Sequence, residues 1–217
     1  MTTAQVTALG YGLLGFFAIW ATVLVPQLIV QQARLGRVDP RRLAGTAAVI
    51  LYGCLALAVV LLPLPGPNSR QLEQTIQLNP FQWVTDIGTE LHKHELSPTI
   101  EHALTSQTFQ QLAMNVLLFV PIGLFARTMW RRGIVGAGLI GFAVSLAVEI
   151  TQVTANFGTA PFVYRIFDVD DLISNTGGAL LGWVAAALFL ALRRNNNRSA
   201  VDVQPAGSGH VDFAESR

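Results

Sequence analysis

The chain has 217 residues, of which 52% are apolar and only 12% charged, about half the charged share of an ordinary soluble domain. So little charge cannot clothe a soluble core of this size, and the single cysteine, Cys54, excludes a disulfide framework and a cysteine-based zinc site. A net charge of +1 gives no nucleic-acid footprint, so no nucleic-acid partner is expected.

Residues 6–30 and 43–64 carry no charge, and each exceeds the ~20 residues a helix needs to cross the hydrocarbon. The first reads as a non-cleaved anchor, since no basic residue precedes it and it is too long for a signal h-region. Residues 65–111 follow as an extracytoplasmic segment with Glu73, Asp86, Glu90, Glu95 and Glu101, where Phe81 and Trp83 place part of the chain at the membrane surface. The third span, 112–127, is shorter and contains Asn115, Pro121 and Gly123. Pro121 is tolerated there if neighbouring helices satisfy the carbonyl it frees. Residues 133–152 form a fourth span with Glu149 near its end, and 172–192 a fifth with Asn175 near its start. The loop between them carries Pro161, Phe162 and Tyr164. From residue 193 onward the asparagines and small residues predict a disordered tail.

The expected fold is therefore all-α: a polytopic integral membrane protein of five transmembrane helices. It divides into an N-terminal two-helix hairpin (1–64), the extracytoplasmic segment (65–111), a three-helix core (112–192) and the tail (193–217). Arg34, Arg37, Arg41 and Arg42 follow the first span, Arg127, Arg131 and Arg132 the third, and Arg193, Arg194 and Arg198 the fifth. The opposite side holds only Arg70, Lys93 and Arg165. The positive-inside rule then sets the N-terminus outside and the C-terminus in the cytoplasm.

Polar residues inside a membrane boundary are costly and mark sites. Ser145, Glu149 and Gln152 are spaced i, i+4, i+7 and fall within roughly 60° on one helix face. Asp168, Asp171, Asn175 and Gly178 share a face of the fifth helix if it begins by Asp168. The topology brings Asn115, Glu149, Gln152, Asp171 and Asn175 to one layer near the outer surface, with Arg165 the only basic residue of the loop there. Three helices converging at one depth point to a polar pocket.

These residues, in this order, resemble the VanZ-like family of bacterial membrane proteins, named for a glycopeptide-antibiotic resistance accessory protein. The matching pieces are Asn79-Pro80-Phe81, Asn115 with Pro121-Ile122-Gly123, Ser145 with Glu149 and Gln152, and Arg165, Asp168, Asp171, Asn175 and Gly178. They cover roughly residues 79–192, and Pro-Ile-Gly stands where many members have Pro-Phe-Gly. The first two spans match no named pattern. The resemblance implies a bacterial plasma-membrane protein with a role at the cell envelope, touching teicoplanin-type sensitivity, and it supplies no established reaction.

Each polar residue carries two readings. Glu149 can be a general base, metal ligand or proton carrier, or the buried partner of Arg165. Asp168 and Asp171 can join it around a divalent cation, or cap the fifth helix; capping is the simpler account, and no metal or cofactor is expected. Arg165 can grip a phosphate or carboxylate, or form a salt bridge to Asp168 or Asp171. Asn115, Gln152 and Asn175 suit interhelical bonds singly and a polar cavity together. Asn79-Pro80-Phe81 predicts a turn over that cavity, Gly178 and Gly182 a close helix contact, and His92, His94 and His102 read as solvated. The leading functional reading is a binder of an amphiphilic partner: a membrane lipid, a lipid-linked cell-wall precursor or a lipoglycopeptide. The rivals are a carboxylate enzyme acting on a lipid-linked substrate, with Glu149, Asp171 or Asp168 as catalytic candidates, and a scaffold or transporter. An oligomer is compatible with each.

Overall fold

A computed structural model describes residues 3–62, 64–65 and 72–202; Arg70, counted above on the outer side, lies outside them. The elements are α1 (Thr3–Leu35), α2 (Pro40–Leu61), β1 (Ile76–Gln77), α3 (Gln82–Lys93), α4 (Ile100–Thr105), α5 (Gln107–Thr128), α6 (Ile134–Val153), α7 (Ala155–Gly158), β2 (Phe167–Asp168) and α8 (Val169–Asp202). Five helices are long and apolar enough to cross a membrane: Val6–Leu35, Pro40–Leu61, Gln107–Thr128, Ile134–Val153 and Val169–Arg194. Large apolar side chains such as Leu14, Phe17, Leu117, Leu139 and Leu188 are exposed along them. A lipid-facing surface requires this, since hydrocarbon offers no partner to a polar group.

The third span starts earlier than its apolar run. Gln107 is its first residue because three of the four N–H groups left free at a helix start find acceptors. The Ser106 hydroxyl accepts from Phe109 N–H at 3.2 Å. The Glu90 carboxylate, from the end of α3, accepts from Gln107 N–H at 2.7 Å and Thr108 N–H at 3.1 Å. These donors, Gln107 first, hold the Glu90 carboxyl below its ordinary value. Pro121 sits inside α5, and in the turn before it the Leu118 carbonyl accepts from the Tyr52 hydroxyl of α2 at 2.6 Å. A neighbouring helix thus contacts the α5 backbone one residue along from Leu117, whose carbonyl Pro121 frees.

The centre of the molecule is the contact of α5 with α8, backed by α6. Phe119, Ile122 and Ala179 are buried together, with Tyr52, Leu118 and Ile140 packed around them. Glycines allow this approach. A Cβ on Gly178 would overlap the Val116 carbonyl, one on Gly182 the Val120 carbonyl, and one on Gly123 the Ala179 carbonyl. Gly178 and Gly182 are therefore the close helix contact their spacing predicts.

At the end where α5 and α8 begin, the segment after α2 folds back as a cap. β1 pairs with β2 in parallel, Ile76 opposite Phe167 and Gln77 opposite Asp168. One local feature was not anticipated and one expectation changes. α7 is a left-handed turn: Ala155, Asn156 and Phe157 have φ of 51°, 54° and 55°. Each such residue costs about 1–2 kcal/mol. The turn is held by Thr154 Oγ1 accepting from Phe157 N–H and by Thr159 Oγ1 donating to the Asn156 carbonyl. The tail expected to be disordered from residue 193 continues α8 to Asp202. No glycine or proline lies between Arg193 and Pro205, so nothing local stops the helix there; residues 203–217 lie outside the described part.

Candidate functional site

The polar layer gathers at the capped end of the bundle. On α6, Ser145 is 0% exposed, Glu149 1% and Gln152 6%. On α8, Asn175 is 4% exposed, and its amide donates to the Ser145 hydroxyl at 2.9 Å. Asn115, half-buried on α5, donates to Asp171 Oδ1 at 2.5 Å. Gln152 reaches the Val60 carbonyl at 3.4 Å, near the end of α2. Ser145–Asn175 and Asn115–Asp171 are the interhelical bonds that these amides predict singly. They join α6 to α8 and α5 to α8.

Asp168 lies just before α8, in β2, because the helix begins at Val169. Its backbone N–H donates to Glu149 Oε2 at 3.1 Å, and its own Oδ1 accepts from Asp170 N–H at 2.8 Å. Asp168 therefore caps the start of α8, and Glu149 holds the strand that leads into it. Burial raises the Asp168 carboxyl above its ordinary value, and neighbouring Asp170 and Asp86 push in the same direction. Among the described residues no group of three His, Cys, Asp or Glu is arranged to hold a metal ion.

Arg165 departs from both structural partnerships expected of it. Among the described residues the ion pair within 4.0 Å is Arg42–Asp39, so Arg165 pairs with neither Glu149 nor Asp168 nor Asp171. Its guanidinium lies over the Tyr164 ring, 5.9 Å from the centroid. The cause is the loop. Tyr164 is anchored by its hydroxyl to the Leu61 carbonyl at 3.0 Å and to Asn156 at 2.8 Å, and Phe167 N–H by the Thr75 carbonyl at 2.8 Å. Between these anchors the half-buried Arg165 side chain is held beside the carboxylates, close enough for its charge to act on Glu149 and Asp171, and not in contact with them.

The sequence reading missed Asp170, the best-placed acid of the run. It is 5% exposed and accepts from Phe81 N–H at 2.6 Å and Trp83 N–H at 3.2 Å. It thus caps α3 and fixes the Asn79-Pro80-Phe81 turn, where Phe81 has a left-handed φ of 62°. These bonds set the turn against the start of α8. Asn156 and Tyr164 were also missed. Asn156 lies in a turn that leaves few sequence marks, and Tyr164 reads as interfacial. Of the three histidines of the outer segment, His92 and His94 are exposed, whereas His102 is half-buried, its Nδ1 2.8 Å from the Ser97 carbonyl oxygen.

A family model described as VanZ/LLP1 matches residues 49–190. The match takes in most of α2, which the sequence reading left without a family, and all of α5, α6 and the start of α8. No curated protein and no solved structure matches the chain. The match covers well over half of the sequence and includes every residue of the polar layer, and on that ground the chain belongs to the VanZ/LLP1 family.

Proposed function

We propose that this is a bacterial plasma-membrane protein whose polar layer, on the extracytoplasmic side, binds the head group of an amphiphilic ligand. The ligand class is a lipid-linked wall precursor, a phospholipid or a lipoglycopeptide, and altered teicoplanin-type sensitivity would follow from such binding. One observation carries the reading. Arg165 is half-buried near Glu149 and Asp171, yet its side chain makes neither an ion pair nor a hydrogen bond among the described residues. A guanidinium held out of full hydration with its planar fork unengaged suits the anionic part of a ligand. The carboxylates suit its hydroxyl or amine groups, and the apolar span surfaces its acyl chain. The binding of lipid-linked precursor and of teicoplanin to the purified full chain is the test. Arg165→Ala and Glu149→Gln should each weaken binding at least tenfold; equal affinity in both variants refutes the reading.

The burial of Glu149, with only the Asp168 N–H as hydrogen-bond partner among the described residues, also suits general-base chemistry on a lipid-linked substrate. Comparative lipidomics separates the two readings. A lipid species present only with the wild-type chain, and lost in Glu149→Gln/Asp171→Asn, establishes the enzyme; identical profiles leave binding.

A further inference from the structure

The opposite end of the bundle is hollowed separately. A cavity of about 1000 Å³ opens between the end of α1, the start of α2 and the end of α5. Its apolar walls include Val23, Val30 and Met129, and its polar lining is three arginines, two glutamines and three threonines. Most of this lining precedes residue 49, outside the family match.

The two glutamines define what the cavity asks for. Gln31 is 5% exposed. Its Oε1 is committed, accepting from Asp39 N–H at 2.7 Å, so the other end of the amide must be Nε2, and that donor is buried without a partner. Gln27, one turn earlier, is oriented the other way. Its Nε2 donates to the Arg42 carbonyl at 3.3 Å and to Thr46 Oγ1 at 2.8 Å, and a carbonyl can only accept. Its Oε1 is therefore an acceptor, buried without a partner. Neighbours thus fix both amides, and the two residues line the same cavity, one with a buried donor and the other with a buried acceptor left without a partner. Of the arginines, Arg42 pairs with Asp39 at 3.6 Å, while the side chains of Arg41 and Arg131 make no ion pair or hydrogen bond among the described residues.

We infer that this cavity binds the head group of an anionic phospholipid whose phosphate carries a hydroxyl-bearing alcohol, as in phosphatidylglycerol. Arg41, Arg131 and the Gln31 amide donate to the phosphate oxygens, the alcohol hydroxyl donates to Gln27 Oε1, and the apolar walls receive the first carbons of the acyl chains. Basic pockets between membrane helices select acidic head groups in this way. A choline head group offers no hydroxyl to Gln27 and cancels the phosphate charge. The site is independent of the Arg165 layer, from which the length of the bundle separates it.

Native mass spectrometry of the full chain, titrated with dioleoyl-phosphatidylglycerol and separately with dioleoyl-phosphatidylcholine, tests the inference. One phosphatidylglycerol should bind at least tenfold more tightly than phosphatidylcholine. Gln31→Glu keeps the acceptor for Asp39 N–H and replaces the donor with an anionic oxygen; it should weaken that binding roughly 10- to 100-fold, the scale of a charge-assisted hydrogen bond. Arg41→Ala/Arg131→Ala should do the same, which covers the case in which Gln31→Glu fails to fold. Arg193→Ala/Arg194→Ala removes equal charge outside the cavity and should change little. Inorganic phosphate and glycerol phosphate, added as soluble competitors, should not displace the lipid. Equal affinity for the two lipids, unchanged binding in both cavity variants, an equal loss in the Arg193/Arg194 variant, or displacement by soluble phosphate would each overturn it.

Discussion

Asp170→Ala should loosen α3 without disturbing the membrane bundle. The Asp170 carboxylate accepts the Phe81 and Trp83 N–H groups at 2.6 and 3.2 Å, across 89 and 87 residues of chain. Losing a helix N-cap costs about 0.5–2 kcal/mol, and a hydrogen bond to a charged group is worth about 1.5–3 kcal/mol. The two bonds share one carboxylate, so their loss is placed at about 2–4 kcal/mol of local stability. Opening of α3 should then rise roughly 30- to 700-fold, at 1.4 kcal/mol per tenfold. Hydrogen–deuterium exchange of the full chain in nanodiscs, read by mass spectrometry on peptides from Gln82–Lys93, measures it, with α6 peptides as the internal reference. Asp170→Asn keeps one acceptor oxygen and should fall between wild type and alanine. Unchanged α3 exchange in Asp170→Ala would refute the capping role. A rise of the same size in α6 would show that the carboxylate holds the whole bundle.

Three other outcomes are expected. Gly182→Leu drives a side chain into the Val120 carbonyl and should cost about 3 kcal/mol, whereas Gly177→Ala, on the same helix with open space around it, should be neutral or slightly stabilising; thermal unfolding in detergent compares them. The Glu90 carboxyl is held below its ordinary value of 4.5, so its stabilising effect is present above that value and is lost as pH falls through the lower folded value; Glu90→Gln should flatten the acid limb of a stability–pH curve. Asp168 has the opposite sign. Its folded carboxyl is raised above 3.8, so its charged form opposes folding once pH exceeds the raised value, and Asp168→Asn should raise the unfolding temperature near neutral pH and have little effect in acid.

The spans were legible in the sequence because a bilayer leaves few alternatives: a long uncharged run must be a helix. Helix ends were less legible. α5 begins at Gln107 because Glu90 and Ser106 accept its first N–H groups, and Glu90 is set seventeen residues back along the chain. The polar layer was legible as spacing, since Ser145, Glu149 and Gln152 share a face at 100° per residue. The same periodicity hid Asp170. It lies off the face that Asp168, Asp171 and Asn175 define, and its partners come from the Phe81 turn, so no local pattern announces it. The left-handed turn at residues 155–157 was equally silent, because alanine and phenylalanine are poor residues for positive φ and only the surrounding contacts impose it.

That turn bears on what Arg165 is for. Three consecutive residues at positive φ represent several kcal/mol of backbone cost, sustained by Thr154, Thr159 and the anchoring of Asn156 and Tyr164 to the end of α2. The cost fixes the loop, and with β2 paired to β1 it fixes Arg165 from both sides. A cation needed only to balance Glu149 would be better served by a contact at hydrogen-bond distance, because a buried pair compensates its desolvation only in close geometry. The loop instead holds the guanidinium against Tyr164 and short of every neighbouring carboxylate. Asn115, Ser145, Asn175 and Asp170 have hydrogen-bond partners within the fold. Among the described residues the Arg165 guanidinium has no hydrogen-bond or ion-pair partner, and the loop already orders it, so a ligand that engages it pays little for organising the site.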